Sequence, residues 1–166
     1  MQERHYAERL IVGITRAQNG WAIASLAALT VDRDRRWAWA RANAILGAAW
    51  AAAKLVSRIV RRPRPNLDDC RPARHKTDRE SFPSTHATTA FAAAIALPPL
   101  LPRTPLICLA ITTAAGRLLL GEHYPSDVAA GAALGLAVAA PVSPGLPKRA
   151  PRRTWTARVA RLASKA

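Results

Sequence analysis

Acidic residues are scarce in this chain. Ten Asp and Glu stand against 25 Lys and Arg, a net charge of +15 over 166 residues. Two kinds of partner suit that imbalance: nucleic acid, or an anionic membrane surface together with a phosphorylated substrate. Aromatic residues are also few, at 5%, and no basic module with interleaved aromatics occurs, which disfavours nucleic acid. Cysteine is limited to Cys70 in a polar stretch and Cys108 in an apolar run. No disulfide is expected from that placement, and two cysteines alone make no zinc site. A signal peptide is not expected either, because Glu3, Arg4, Glu8 and Arg9 crowd the first nine residues and no small-residue cleavage site follows an early apolar core. Lysine is thin beside arginine, and with the abundance of alanine this suggests a high-GC bacterial genome.

Half of the residues are hydrophobic, yet mean hydropathy is near zero. The two kinds of residue are segregated: long Ala/Leu/Ile/Val runs alternate with short basic connections, the pattern of a small multi-span membrane protein. The chain therefore reads as all-α, a bundle of about five crossings at 20–31, 38–60, 86–101, 106–120 and 128–142. Residues 3–16 form a mildly amphipathic segment suited to the membrane interface. Trp37 and Trp39 fall where an aromatic belt would place them. Pro63 and Pro65 stop the long second run, Pro98 and Pro99 kink or end the third, and Pro102 to Pro105 make a tight turn. Gly131 and Gly135 are spaced as GxxxG, a weak packing signal in an alanine-rich helix. Residues 1–142 form one membrane domain. Residues 143–166 are a basic tail, in which Trp155, Val159 and Leu162 would share a helical face on anionic lipid.

Three polar stretches interrupt the apolar runs, and each carries the parts for handling a phosphate. In the first, Arg58 to Pro65, arginines can match phosphate oxygens two at a time; a basic membrane flank is the plainer reading. In the second, FPSTH, Ser84, Thr85 and His86 open a helix whose free N–H groups and dipole suit an anion, and His86 can protonate a leaving oxygen; a simply capped helix is the alternative. The third is GRLLLGEHYPSD, residues 116–127. Arg117 can hold phosphate. His123 can attack phosphorus through one ring nitrogen if the other donates to a carboxylate, and Asp127 is the candidate. An interfacial histidine beside a helix-capping aspartate is the competing reading.

Taken together, these residues resemble the three-part signature of the type 2 phosphatidic acid phosphatase (PAP2) superfamily. Arg117, His123 and Asp127 match the family's S-R-x5-H-x3-D motif, with Gly116 in the serine position. Pro83, Ser84 and His86 match P-S-G-H, with Thr85 in the glycine position. For K-x6-R-P the chain offers R-P pairs at Arg62 and Arg64, but counting back reaches Leu55 and Ser57, not lysine. Lys54 and Arg58, one turn to either side of Ser57, are the candidate substitutes.

The resemblance implies a multi-pass enzyme of the plasma membrane that removes phosphate from a lipid or polyprenyl phosphate without metal or other cofactor. A polyprenyl-phosphoryl pentose phosphate in cell-wall precursor synthesis is one specific expectation; polyprenyl diphosphate and phosphatidylglycerophosphate stay open beside it. His123 would become a phospho-histidine assisted by Asp127. His86 would serve the leaving group, and Arg62, Arg64, Ser84, Thr85, Arg117, Lys54 and Arg58 would hold the phosphate. The altered Lys, Gly and Ser positions motivate a second possibility, a catalytically impaired member that binds or assembles at the membrane. The positive-inside rule, with the active-loop arginines set aside as phosphate ligands, places the tail in the cytoplasm and the site outside; counting residues 61–79 reverses that.

Overall fold

Helices form where the apolar runs lie, and each stops where the sequence supplies a stop. The structure is a computed structural model in which residues 13, 23–65 and 80–145 are described. Five helical segments occur there: α1, described over 23–31, α2 (Arg36–Val60), α3 (Thr85–Ala96), α4 (Arg103–Leu119) and α5 (Pro125–Ala139). Short 3-10 turns precede α2 (Arg33–Arg35) and follow α5 (Ala140–Gly145). The amphipathic segment expected over 3–16 lies outside the described residues but for Gly13. Cys70 and the face of Trp155, Val159 and Leu162 lie outside them as well.

α2 buries Trp39, Ala42, Ile45, Ala49, Ala53 and Ser57. These are three or four residues apart and form one stripe along a helix of 3.6 residues per turn. Its other side exposes Trp37, Trp50, Leu55 and Ile59. Large exposed apolar side chains recur on α1, α4 and α5, among them Ile23, Ile111 and Leu136. A core of small residues with bulky apolar groups outside is the arrangement that lipid selects, since helix association there depends on close packing.

α3 lies at the centre and packs against α2, α4 and α5. Its closest neighbour is α5, and two glycines explain why. A Cβ on Gly131 would sit 2.6 Å from the carbonyl oxygen of Ser84, and one on Gly135 would be nearer still to that of Thr88. The GxxxG spacing therefore marks a contact that larger residues would prevent.

Several sequence expectations need correction. The third helix does not run to residue 101: it ends at Ala96, because Pro98 and Pro99 cannot continue it. The turn expected over Pro102–Pro105 is instead the start of α4, with Pro102 at its N-cap. Pro105 fits within the first helical turn, where backbone N–H groups lack intrahelical partners anyway. Trp39 is not a belt residue; it is buried, and its ring N–H donates to Asp32 Oδ2 at 3.1 Å, closing the α1–α2 turn. By length and composition, two stretches among the described residues can cross a membrane alone, Arg33–Val60 and Pro125–Val142. The other helices are shorter; α3 has 12 residues, roughly 18 Å at the helical rise.

The directions of the helices gather the polar stretches at one end. α2 and α4 finish there, while α3 and α5 begin there. Ser81 ties the first stretch to the second: its N–H donates to Arg62 O at 2.8 Å, and its hydroxyl reaches Pro63 O at 3.0 Å. Ser84 N–H donates to Asp127 O at 3.0 Å and ties the second to the third.

Candidate active site

His123 follows α4, in the turn made by Gly121, whose φ of 64° is a left-handed conformation that glycine adopts without cost. The ring is buried. Its Nδ1 lies 2.7 Å from the carbonyl oxygen of Ser81. A carbonyl only accepts, so Nδ1 carries the proton and Nε2 keeps the lone pair. Burial and the neighbouring Arg64 guanidinium, with a smaller push from Arg117, lower the His123 pKa to about 4; Ser81 and Asp127 pull the other way. The ring is thus neutral through the physiological range.

Asp127 is fully buried at the first turn of α5. Its Oδ2 accepts the N–H of Tyr124 at 2.9 Å, which caps the helix, and its Oδ1 accepts Arg62 Nη1 at 3.0 Å. His123 Nδ1 is 3.8 Å from Oδ2, beyond hydrogen-bond length. The direct acceptor of His123 is therefore the Ser81 carbonyl rather than the Asp127 carboxylate. Asp127 still places negative charge beside the ring, and it serves as the helix cap as well.

The arginines divide by what they touch. Arg62 is engaged by Asp127, by Ser126 Oγ at 2.8 Å, and by the Tyr124 ring, 4.1 Å from its guanidinium carbon. Arg64 Nη1 donates to Glu122 O at 2.8 Å and lies 3.4 Å from His123 Nε2. Arg117 is 1% exposed and pairs through Nη1 with Glu122 Oε2 at 2.5 Å. Its Nε and Nη2, and the buried Ser84 hydroxyl, find no hydrogen-bond partner among the described residues. Such unpartnered donors suit an oxyanion, because buried polar groups are rarely left unpaired, although neither Arg117 nor Ser84 is among the residues that line the neighbouring cavity.

A cavity of about 670 Å³ opens beside this cluster. Its polar end is lined by Lys54, Ser57, Arg64, Glu80, Thr85, His86 and His123; Leu46, Trp50, Leu97, Leu106 and Leu109 make it apolar elsewhere. Lys54 lines the cavity, whereas Arg58 is exposed and does not, so only one of the two candidate substitutes for the missing lysine faces it. Ser84 is the N-cap of α3 as expected, but its side chain makes no capping bond. Among the described residues, no group of three or more His, Cys, Asp and Glu could hold a metal ion.

The sequence reading missed Ser81, which acts through backbone atoms that no motif exposes. It also passed over Glu80, which looked like one more counter-charge in a polar stretch, and Glu122, which the motif spacing treats as variable.

The chain is similar to several known proteins. A family model described as the PAP2 superfamily matches residues 37–151. A decaprenylphosphoryl-5-phosphoribose phosphatase of Mycobacterium tuberculosis (strain ATCC 25618 / H37Rv) is 42% identical over 123 residues, 73% of this chain and 68% of that protein. A lipid A 1-phosphatase of Rhizobium johnstonii is 42% identical over 93 residues, which cover 50% of this chain and 37% of the relative. The crystal structure of a transmembrane PAP2-type phosphatidylglycerolphosphate phosphatase from Bacillus subtilis superposes with a TM-score of 0.67, over 82% of this chain and 75% of that one. At 21% identity, that likeness shows the fold alone.

Proposed function

The chain belongs to the PAP2 superfamily, and on that premise we propose that it is a membrane phosphatase acting on a polyprenyl-phosphoryl pentose phosphate through a phospho-histidine at His123. The observation that carries the proposal is the protonation pattern of that ring. Nδ1–H is committed to Ser81 O, which leaves the lone pair on Nε2, and His123 lines a cavity together with Lys54, Arg64 and His86. The mycobacterial relative named for decaprenylphosphoryl-5-phosphoribose supports the substrate class. The largely apolar remainder of the cavity suits the start of a prenyl chain.

In the first step Nε2 forms a bond to phosphorus and the ester P–O bond breaks. Its electron pair goes to the leaving oxygen, which takes a proton from His86. The Nδ1–H bond to Ser81 O and the charge of Asp127 stabilise the cationic phospho-imidazole. Arg117, the Ser84 hydroxyl, Arg64 and the amide groups at Thr85 hold the equatorial oxygens as charge builds. In the second step His86 takes a proton from water, the oxygen attacks phosphorus, the P–N bond breaks and Nε2 recovers its lone pair. Arg62 acts one step back, by fixing Asp127.

All five helices cross the plasma membrane in this proposal. α3 serves despite its length because α2, α4 and α5 sheathe it, so its ends need not meet lipid. Residues 1–142 form the catalytic domain and 143–166 a basic tail on the cytoplasmic side, with the site outside. Labelling of a cysteine placed at Ser164 from outside intact cells would reverse that orientation. Phosphate release from lipid and polyprenyl phosphates by the purified protein tests the function. His123→Ala should reduce it by about a thousandfold or more, and an acid-labile phosphoprotein should form in the wild type only. Full activity in His123→Ala would falsify the nucleophile assignment. Binding of lipid phosphates without any release would favour the membrane-binding alternative.

A further inference from the structure

Glu80 is an acid in a cavity otherwise suited to anions, the only Asp or Glu among its described lining residues. Its position is well defined. Its backbone pairs with Pro63 in an antiparallel bridge, next to Arg64. The next residue, Ser81, supplies the carbonyl that holds His123. Glu80 thus lies on the segment whose Ser81 holds His123, paired with the segment that carries Arg64. Its Oε2 accepts the hydroxyl of Ser57 at 2.8 Å. Ser57 is the residue reached by counting back from Arg64 to where the first motif expects lysine.

This exchange alters what that wall of the cavity can recognise. A lysine donates only, and it suits phosphate oxygens. An ionised carboxylate accepts only, with roughly four lone-pair sites, of which one serves Ser57. It repels a phosphate and attracts hydroxyl donors, and hydrogen bonds to a charged acceptor are among the stronger ones. A carboxylate beside a phosphate pocket therefore fits a phosphate ester whose carbon skeleton carries hydroxyl groups.

We propose that Glu80, held by Ser57, forms a hydroxyl-binding subsite beside the phosphate that selects sugar phosphates over hydroxyl-free phosphate esters. The proposal rests on the phosphatase reading above and assigns the pentose of that substrate to a place in the site. The vicinal hydroxyls of the sugar donate to the carboxylate while its phosphate meets Nε2 of His123. Glu80 is then a specificity-determining residue, and no bond to phosphorus involves it.

Two synthetic esters test this with the full-length protein in detergent: a short-chain prenylphosphoryl pentose phosphate and its dideoxy analogue lacking the vicinal hydroxyls. The wild type should prefer the hydroxylated ester by at least about tenfold in kcat/KM, because a site built to bond a hydroxyl discriminates against its absence. In Glu80→Gln the ratio should collapse to within about threefold, and Ser57→Ala should fall between. A wild-type ratio near one overturns the subsite while leaving the phosphatase reading intact. Equal changes on both esters in Glu80→Gln also overturn it, because simple charge neutralisation would act on both alike. No release from either ester by the wild type sinks the subsite and the phosphatase reading together. Inhibition of the wild type by ribose 5-phosphate and by its dideoxy analogue needs no variant: stronger inhibition by the hydroxylated compound supports the subsite, and equal inhibition refutes it.

Discussion

Arg62 and Arg117 both belong to the proposed site, yet they are bonded in opposite ways. Arg62 is half-buried, bonded through Nη1 to Asp127 and Ser126 and stacked on Tyr124. Arg117 is buried, and two of its nitrogens have no partner among the described residues. The contrast separates framework from receptor. The cation nearer water ties two polar stretches together, and in the proposed mechanism the one deep in the bundle keeps donors for an anion. Glu122 makes this affordable by pairing one edge of the Arg117 guanidinium at 2.5 Å, since a lone buried charge costs several kcal/mol, on the order of a whole domain's margin of stability.

The sharpest way to break that contrast is to remove each arginine in turn. Arg117→Gln should lower kcat/KM by about a hundredfold to a thousandfold, as loss of an oxyanion donor does, and should abolish inhibition by inorganic phosphate. Arg62→Gln should act mainly through Asp127, so its effect should be less than additive with Asp127→Asn in a double-mutant cycle on melting temperature and activity. If Arg62→Gln weakened phosphate inhibition more than Arg117→Gln, the division between framework and receptor would be wrong. A second test concerns the packing that presents both groups. Gly135→Ala forces a methyl against the Thr88 carbonyl, and overpacking of this kind typically costs about 1–3 kcal/mol. Thermal unfolding in detergent should show the loss, and unchanged stability would mean that α3 and α5 are not held as described.

pH offers a finer probe. With the His123 pKa lowered to about 4, kcat/KM should hold from neutrality down and fall only as pH approaches that value. Arg64 is the second cause of the shift after burial. Arg64→Gln should therefore raise the pKa and move the acid limb toward the ordinary histidine value of 6.5. The same shift affects stability. Between 6.5 and about 4 the unfolded chain binds a proton that the folded chain refuses, so stability present above 6.5 is lost as pH falls through this window. The smallest expected effect separates Lys54 from Arg58: Lys54→Ala should cost about tenfold in kcat/KM, and Arg58→Ala less than about twofold.

Much of this molecule was legible in sequence because lipid restricts the choices. Apolar runs ended by prolines gave helix positions to within about three residues, except at the end of α3, which falls five residues early at Ala96, and the motif residues His123, His86 and Arg64 do meet at one cavity. What escaped reading was whatever depends on backbone partners or on direction. No side-chain pattern announces that Ser81 O holds His123. Nothing in the spacing around Ser57 tells whether Lys54 or Arg58 turns inward. Trp39 carries the same signal as Trp37, yet Asp32 draws it into the core while Trp37 remains exposed.

The glycine contacts and the Ser84–Asp127 bond have a mechanical consequence. The first turns of α3 and α5 share a backbone hydrogen bond at 3.0 Å, and below it Gly131 and Gly135 of α5 lie directly against the backbone carbonyls of Ser84 and Thr88. They behave as one rigid body bearing His86, Ser84 and Asp127. Any breathing that admits a head group must then be taken up by α2 and α4, whose outer faces expose large apolar side chains such as Trp37, Ile59 and Ile111. Amides along Thr88–Ala92 should accordingly exchange with deuterium among the slowest in the protein, and those near Lys54 should exchange sooner.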